Sequence, residues 1–331
     1  MIDLSNKTIV ISRTDSIGDV ILTLPITTWL KDNFENIRIV FLGRNYTKPV
    51  IESYSDVDEF LSWDELLDLP IALRKERFRS YAFDAIVHVF PNKEIASLAR
   101  SAKIPVRVGT SHRAYHLLTC NHRINFTRKR SDLHEAQLNF NLIKPFGLMQ
   151  IPSIEQIEQM VKAFHAAKME LPKKLSNLKG CTILHPGSQG SAVEWPIEKY
   201  VALSECLAEK GEKVVFTGTR KEGDAFRSYI PQHENIHDLT GEMDLYQLIK
   251  FIDEAKNLVA CSTGPLHISG YLGTNTIGLF SARRPIHPGR WKALGSNVHI
   301  LVNNDCEKCS KGEQCDCIQS ISVERVLEKL K

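Results

Sequence analysis

Short, β-branched apolar runs alternate with segments of helical periodicity in both halves of this chain. The first run is residues 8–12, followed by the polar turn 13–19 and by residues 20–24, whose apolar positions recur at helical spacing. Such alternation predicts right-handed βαβ units and a parallel sheet covered by helices. Ligands of open α/β sheets bind at the carboxyl ends of the strands, and the turn 13–19 lies at such an end.

The chain has 331 residues, a length typical of two domains. A Lys- and Pro-containing connector precedes residue 181, where a second alternating series begins. We therefore predict two doubly wound domains, 1–170 and 171–331, with a cleft between them. In the first domain, residues 66–80 are expected to form one amphipathic helix. Pro25 is expected to lie inside the first helix and to kink it.

Composition and termini indicate an ordinary soluble protein. Hydrophobic residues make up 43% of the chain and charged residues 24%. No stretch approaches the roughly 20 apolar residues that span a bilayer, and the N-terminus lacks the pattern of a secretory signal. We expect a cytoplasmic protein whose eight cysteines are mostly reduced.

Residues 97–131 form a basic segment without a single Asp or Glu. A solvated surface is the common explanation of a basic run, and a surface for an anionic partner is the alternative. No nucleic-acid-binding module is recognisable and aromatic residues are sparse, which disfavours nucleic acid. An anionic, lipid-linked acceptor fits better. The side chains considered for it are Arg113, Arg123, Arg128 and Arg130.

Three turns in the second half have the composition of ligand-binding loops. Each follows a predicted strand, and a glycine-bearing turn before a helix lets the backbone approach a diphosphate. Each turn alone is a weak signal, but three at the ends of parallel strands favour a nucleotide. Neither a P-loop nor a G-x-G-x-x-G motif is present, which disfavours P-loop phosphoryl transfer and a nicotinamide or flavin dehydrogenase. The residues of these turns are His185, Gly187, Ser188, Thr217, Gly218, Ser262, Thr263, Gly264, Pro265, Leu266 and His267.

Two acids in the turn 13–19, Asp15 and Asp19, allow two interpretations. Acidic residues at a helix start often serve only as caps or dipole partners. The alternative is a general base that faces a hydroxyl substrate. The local pattern alone does not separate the two.

Several stretches together resemble glycosyltransferase family 9, the ADP-heptose:lipopolysaccharide heptosyltransferases. They are Asp15-Ser16-Ile17-Gly18-Asp19, His134-Glu135, His185-Pro186-Gly187-Ser188 with Trp195-Pro196, Thr240-Gly241, Ser262-Thr263-Gly264-Pro265-Leu266-His267 and Leu272-Gly273-Thr274. These stretches follow the family's order over nearly the whole chain, which makes the resemblance far more specific than any one motif.

The resemblance implies a GT-B architecture, with the acceptor on the first Rossmann-like domain and the nucleotide sugar on the second. It also implies inverting transfer that requires no cofactor, from ADP-heptose to the lipopolysaccharide inner core, at the inner-membrane surface. Asp19 falls on the family's proposed base. Asp15, Ser16 and Gly18 of the same turn would hold the acceptor, together with His134 at the start of a later helix.

Two positions depart from the family's pattern. Many members carry an acid before the Thr-Gly of the last motif, where this chain has Ser262, and a Lys two residues before the Trp, where it has Val193. Arg283, Arg284 or Arg290 would supply the missing positive charge. The departures keep two alternatives open: another nucleotide-sugar donor for a cell-envelope glycan, and a degenerate member that binds nucleotide or glycan without turnover. A nucleotide-sugar epimerase is a more distant alternative, because it would not need the basic acceptor surface.

A dense group of cysteines lies near the C-terminus. Four thiols within twelve residues are able to form a tetrahedral zinc or iron site that holds the tail, although the spacing is tighter than in zinc ribbons. The alternative is free or partly oxidised thiols. The four residues are Cys306, Cys309, Cys315 and Cys317.

Overall fold

The computed structural model describes residues 1–128, 131–311, 313 and 315–331. It divides the chain into two compact units, Met1–His165 and Ala166–Lys331. Each unit contains its own parallel six-stranded sheet.

The first sheet has the order β3-β2-β1-β4-β5-β6. Its strands are β1 (Thr8–Ser12), β2 (Arg38–Gly43), β3 (Glu59–Ser62), β4 (Ala85–His88), β5 (Val106–Thr110) and β6 (His122–Ile124). Val10 lies opposite Val40 on one side and Ile86 on the other. All three are fully buried, as expected for a parallel sheet covered on both faces.

The helices of the first unit are mostly short. Helix Lys93–Ser101 buries Ile95 and Leu98 against the Val10 face of the sheet. The α-helices are Ile17–Ile21, Pro25–Asn33, Lys48–Glu52, Trp63–Asp68, Ile71–Ser80, Lys93–Ser101, His116–Thr119, Glu135–Phe140 and Ile154–Met160, and the 3₁₀-helices are Asn45–Thr47, Asn141–Phe146 and Val161–Ala163.

The second sheet repeats the arrangement of the first, with the order β12-β11-β10-β7-β8-β9. Read from its own first strand, it has the same 3-2-1-4-5-6 order, that of dinucleotide-binding folds. Its strands are β7 (Thr182–His185), β8 (Val214–Phe216), β9 (Ile236–Asp238), β10 (Asn257–Cys261), β11 (Asn275–Phe280) and β12 (Val298–Val302).

One face of the second sheet packs on helix Ile197–Ala208 and on the C-terminal segment. Trp195, Tyr200, Leu279 and Ile321 lie buried in this core. The α-helices are Lys173–Ser176, Ile197–Ala208, Arg220–Phe226, Leu245–Asp253, Gly264–Leu272, Pro288–Trp291, Glu307–Ser310 and Val323–Leu327, and the 3₁₀-helices are Arg227–Tyr229 and Cys317–Ser320.

Two helix predictions are wrong, both at prolines. Pro25 does not kink the first helix; Ile17–Ile21 ends and Pro25 begins a second helix, where its missing N–H costs no hydrogen bond. The predicted helix 66–80 is two helices, because Pro70 separates Trp63–Asp68 from Ile71–Ser80. Among the described residues, no helix is both long and apolar enough to cross a membrane.

Candidate active site

The candidate residues follow strands at the point where the strand order of each sheet reverses. This point lies between β1 and β4 in the first unit and between β7 and β10 in the second. Open α/β sheets bind ligands in the crevice there, outside the carboxyl ends of the strands. The turn 13–19 follows β1, His185 ends β7, and Ser262 follows β10.

Arg13 is the centre of the cluster in the first unit, with 3% of its surface exposed. Its Nε and Nη2 donate to the two carboxylate oxygens of Asp15 at 2.8 and 3.0 Å, and Nη2 also donates to Asp19 Oδ1. Burial alone would lower the pKa of Arg13, but the carboxylates of Asp15, Asp19 and Glu135 outweigh it and raise this pKa. Arg13 therefore stays charged and fixes both acids of the turn. For Asp15, burial raises the pKa despite the guanidinium beside it.

Asp19 lies in the first turn of helix Ile17–Ile21, and 21% of its side chain is exposed. Its Oδ2 accepts a hydrogen bond from Ser16 Oγ at 2.5 Å. Each carboxylate oxygen accepts two hydrogen bonds, so Oδ2 retains acceptor capacity toward a further hydroxyl. Asp19 thus combines a fixed orientation with access from solvent.

Two residues that the sequence does not identify as site residues, Glu135 and Asn139, contact Arg13, and both also bind Arg128. Glu135, 1% exposed, lies 3.6 Å from Arg13 Nη1 through Oε1, and the same oxygen accepts from Arg128 Nε at 2.9 Å. Asn139 Oδ1 accepts from Arg13 Nη1 at 3.1 Å and from Arg128 Nη2 at 2.9 Å. Glu135 lies in the resembling stretch 134–135, but nothing in the sequence pairs it with residue 13.

The other predicted acceptor residues differ in their surroundings. His134 is 2% exposed and caps helix Glu135–Phe140, where its Nδ1 accepts from the backbone N–H of Ala136 at 3.2 Å. Arg113 and Arg123 are exposed, and Arg123 Nη1 donates to the carbonyl of Cys120 at 3.2 Å. Arg130 lies outside the described residues. Of the predicted acceptor arginines in the described part of the chain, Arg128 belongs to the Arg13 cluster.

In the second unit, His185 is 6% exposed and its Nδ1 lies 3.0 Å from Thr217 Oγ1, at the end of neighbouring strand β8. Burial lowers the pKa of His185 to about 4, although the Glu222 carboxylate opposes this shift. The imidazole is therefore neutral near pH 7, and it joins two of the predicted donor turns.

Glu222 holds these turns together from the first turn of helix Arg220–Phe226. Its Oε2 accepts from the backbone N–H and the hydroxyl of Thr219 at 2.7 and 2.8 Å, which forms a capping box. A Cβ at Gly187 would collide with this carboxylate, and one at Gly218 would lie 3.3 Å from Oε2. The bare backbone of Gly187 therefore leaves the space that the Glu222 carboxylate occupies, whereas a Cβ at Gly218 would need a shift of only a few tenths of an ångström.

Glu194 accepts two hydrogen bonds from Ser188, the residue after Gly187. Its Oε1 accepts from the backbone N–H of Ser188 at 2.9 Å and from Ser188 Oγ at 2.7 Å. Val193 stands where many family members carry Lys. Its apolar side chain is partly buried and packs against the core that contains Trp195.

The third donor turn leads into helix Gly264–Leu272. Thr263 occupies the N-cap without a side-chain cap bond, and its Oγ1 donates to the carbonyl of Cys261 at 3.2 Å. Pro265 lies in the first helical turn, while Leu266 and His267 are buried behind it. The helix start thus presents backbone N–H groups at the carboxyl edge of the sheet, beside Ser262.

The four C-terminal cysteines form one cluster in the second unit, and all four Sγ atoms lie within 4.8 Å of one another. The Sγ atom of Cys309 is 2.9 Å from that of Cys315 and 3.3 Å from that of Cys317. The hydrogen bond from Cys309 lowers the pKa of Cys315 to about 6, which favours a thiolate. This donor set fits a tetrahedral zinc or iron ion.

Known proteins similar to this chain are glycosyltransferases. A Haemophilus influenzae protein provisionally named a glycosyltransferase is 25% identical, with 97% of this chain and 95% of that protein covered. Lipopolysaccharide heptosyltransferase 3 of Escherichia coli is 21% identical over 90% of both chains. Lipooligosaccharide heptosyltransferase 2 of Haemophilus influenzae is 22% identical over 95% of both.

Solved structures agree with these relatives. The Escherichia coli ADP-heptose lipopolysaccharide heptosyltransferase II superposes with a TM-score of 0.76 at 17% identity, with 98% of this chain and 97% of that chain covered. Together with the two doubly wound sheets, this likeness confirms the predicted GT-B fold. The family model of glycosyltransferase family 9 (heptosyltransferase) matches residues 71–318, more than half of the chain. The protein is therefore a glycosyltransferase and a member of glycosyltransferase family 9.

Proposed function

We propose that this enzyme transfers heptose from ADP-heptose to the lipopolysaccharide inner core, with inversion and without a catalytic metal. The observation that carries the proposal is Asp19, held by Arg13 and Ser16 at the reversal point of the first sheet, with acceptor capacity left on Oδ2. Such a carboxylate is suited to receive a proton from an acceptor hydroxyl.

The reaction on this proposal is a single displacement. The acceptor oxygen bonds to the anomeric carbon while the bond from that carbon to the diphosphate oxygen breaks. The hydroxyl proton passes to Asp19, and ADP leaves with the electron pair of the broken bond. Arg13 keeps its charge throughout and holds the carboxylate in place.

The turns of the second unit are suited to the leaving diphosphate. Helix Gly264–Leu272 begins at Thr263 with backbone N–H groups that have no partner within the helix, and its dipole favours negative charge. Such donors stabilise charge that develops on the leaving group. His185 and Thr217 stand at the ends of strands in the same sheet.

The relatives support ADP-heptose as donor. Their names describe heptosyltransferases, and one solved structure, at TM-score 0.69 and 17% identity over 97% of this chain, contains ADP-2-deoxy-2-fluoro heptose. Ser262 and Val193 depart from the family's pattern, and in our proposal Arg283, Arg284 or Arg290 compensates with positive charge after β11.

The acceptor side combines a positive field with exposed apolar side chains. Arg113 and Arg123 are exposed in the acid-free segment 97–131, as are Leu117 and Leu118, at 62% and 71%. Adjacent exposed leucines beside arginines suit the interface of an anionic membrane. We accordingly propose a cytoplasmic enzyme that associates peripherally with the inner membrane, where a lipid-linked anionic acceptor would lie.

A structural zinc or iron ion at Cys306, Cys309, Cys315 and Cys317 completes the proposal. Ligand sulfurs about 2.3 Å from a tetrahedral ion lie about 3.8 Å apart, so small side-chain shifts from the observed separations accommodate an ion. All four protein ligands would be thiolates, which leaves no open position for substrate. The ion would therefore support the fold rather than the transfer step.

Three alternative functions predict different results when the protein is incubated with nucleotide sugars. A transferase for another cell-envelope glycan would use a different nucleotide sugar. A degenerate member would bind nucleotide without turnover, and the Ser262 and Val193 departures are the reason to test it. An epimerase would convert nucleotide sugar without any acceptor.

The experiment measures transfer from a panel of nucleotide sugars to a truncated inner-core acceptor by wild type, Asp19→Asn and Asp84→Asn. General-base loss lowers kcat by about 10²–10⁴-fold, so we expect that loss in Asp19→Asn with ADP-heptose. Asp84, just before β4 at the amino end of the first sheet, pairs with Lys7 at 3.5 Å and serves as the matched control. Undiminished turnover in Asp19→Asn would rule out Asp19 as the base, and turnover with another donor alone would replace ADP-heptose.

A further inference from the structure

The cysteine cluster contacts the loop that follows β11. Ser281, the first residue after that strand, is 4% exposed. Its Oγ lies 3.5 Å from Cys309 Sγ and 3.7 Å from Cys317 Sγ, and it also accepts a hydrogen bond from the backbone N–H of Arg283 at 3.2 Å. One hydroxyl therefore joins the cluster to the loop 281–287.

The segment that carries the cluster also contacts the end of the loop after β7. Trp195 Nε1 donates to the carbonyl of Ile321 at 2.9 Å, and Lys199 Nζ donates to the same oxygen at 2.8 Å. Ile318 and Ile321 are buried in the core beside Trp195. The segment 306–321 is thus bonded to the loops after β11 and β7, the two strands that flank β10.

These loops lie at the edge of the sheet where the donor turns lie. β10 is parallel to both neighbours, and Cys261 is opposite Leu279, so Ser281 begins its loop beside the turn at Thr263. Adjacent strands are about 4.8 Å apart. A displacement of Ser281 would therefore reach the start of helix Gly264–Leu272.

We propose that a thiolate-bound divalent ion at Cys306, Cys309, Cys315 and Cys317 acts as a clamp that positions the nucleotide-binding turns of the second unit through Ser281 and Ile321. The assignment of those turns to the donor rests on the proposed function. With metal bound, the Ser281 hydroxyl donates to a ligand sulfur, as the outer hydrogen bonds of metal sites commonly do. Ser281 and Trp195 are positioning residues in this scheme, and neither touches the reacting atoms.

The fold gives a reason why the clamp requires an ion. Between β12 and helix Val323–Leu327 the described residues include two short helical turns, and the buried aliphatic side chains among them are Ile318 and Ile321. Thiol hydrogen bonds are weak. A metal–thiolate site contributes folding free energy directly, so it is able to order a segment that has little core of its own.

The test compares full-length protein purified under argon with the same protein demetallated by a mercurial reagent and a chelator, followed by thiol reduction. Metal content is measured by plasma mass spectrometry, hydrogen exchange over residues 186–196 and 281–292 by mass spectrometry, and ADP binding by calorimetry. We expect about one zinc or iron per chain, and demetallation to speed exchange in both segments and raise the Kd for ADP about tenfold.

Ser281→Ala tests the contact between the cysteine cluster and the loop 281–287 without removing a cysteine ligand. We expect this variant to retain its metal, to exchange faster over residues 281–292, and to bind ADP several-fold more weakly. Ser296→Ala, at an exposed serine before β12, is the matched control and should behave like wild type. Circular dichroism confirms that each sample is folded.

The outcomes distinguish the clamp from the donor assignment. Absence of bound metal, or exchange over 281–292 that is the same with and without metal, would overturn the clamp. If no form of the protein binds ADP while exchange still depends on metal, the donor assignment fails and the clamp stands.

Discussion

Glu135 accepts a hydrogen bond from Arg128, with 2.9 Å between Oε1 and Nε, while almost its entire surface is buried. The same oxygen lies 3.6 Å from Arg13. A buried carboxylate between two guanidinium groups balances a positive charge that would otherwise be directed at Asp19. Glu135 therefore supports the turn 13–19, although it lies more than a hundred residues away in the sequence.

Replacing Glu135 by Gln should lower activity without a direct effect on the donor. Removal of one negative charge leaves two arginines close together and alters how Arg13 holds Asp19. We expect kcat to fall about tenfold to hundredfold, of the order that small misplacements of catalytic groups cause, while the KM for the donor stays near that of wild type. Steady-state kinetics at saturating acceptor measures both.

Glu76→Gln, at an exposed helix position, is the matched control and should leave both constants unchanged. An unaltered kcat in a folded Glu135→Gln variant would contradict the supporting role.

The sequence predicts much of this architecture because the β-branched runs are buried on both faces of the sheets. β1 has the predicted bounds, residues 8–12. The helix predictions around Pro25 and Pro70 are wrong, because each proline leaves the apolar periodicity of its neighbours intact. Periodicity reports which face is buried, and it does not report where a missing N–H interrupts the hydrogen bonds.

The candidate site shows a similar limit. Asp15 and Asp19 stand out in the sequence because they lie in a short turn directly after a strand, and only the family resemblance assigns the base to Asp19. Glu135 and Asn139, which contact Arg13, come from a helix whose distance from the turn depends on the whole sheet. A buried ion pair between remote residues leaves no local pattern, so only the fold reveals it.

The free energy of unfolding should depend less on pH in a His88→Gln variant than in wild type. His88 is fully buried at the end of β4, and burial, with smaller effects of His116 and Arg107, lowers its pKa from 6.5 to about 3. The unfolded chain takes up the proton near pH 6.5 and the folded chain does not. Stability from neutral His88 is therefore present above pH 6.5 and lost as pH falls, by about 2 kcal/mol between pH 7 and 5.

Urea unfolding at pH 7 and 5 measures this difference. We expect the fall in unfolding free energy to be about 2 kcal/mol smaller in His88→Gln than in wild type, whatever the variant's stability at pH 7. His165→Gln, at an exposed position, should retain the wild-type slope. An equal slope in all three proteins would show that His88 is not buried as a neutral group.

The double variant Leu117→Ser/Leu118→Ser should weaken membrane binding. These two leucines are among the most exposed large apolar residues and lie within the acid-free basic segment. We expect binding to vesicles containing anionic phosphatidylglycerol to fall at least tenfold, since two buried leucines account for more than 1.4 kcal/mol of transfer free energy. Turnover of a soluble, truncated acceptor should be unchanged.

Vesicle sedimentation measures this binding, with neutral phosphatidylcholine vesicles as the lipid control. The matched protein control is Ile71→Ser/Leu73→Ser, which removes two other exposed apolar side chains, at 67% and 51%, from the helix that follows Pro70. If both double variants lost the same amount of vesicle binding, the basic segment would have no special affinity for membranes.

Gly187→Ala should disturb the donor turns through Glu222. The new methyl group would occupy the position of the Glu222 carboxylate, which must then leave the capping box with Thr219. Loss of a cap destabilises by about 1 kcal/mol, and we expect a comparable loss of unfolding free energy together with about fivefold weaker binding of ADP. Differential scanning calorimetry and isothermal titration measure the two effects.

Glu222→Ala provides the matched comparison because it removes the carboxylate and leaves space for the methyl group. We expect Glu222→Ala alone to lose a similar amount of stability, and the double variant Gly187→Ala/Glu222→Ala to lose little more than either single variant. Such non-additivity is the signature of two residues that act through one contact. Fully additive losses would show that the glycine is required for another reason, and the packing of Glu222 against Gly187 would then not explain this turn.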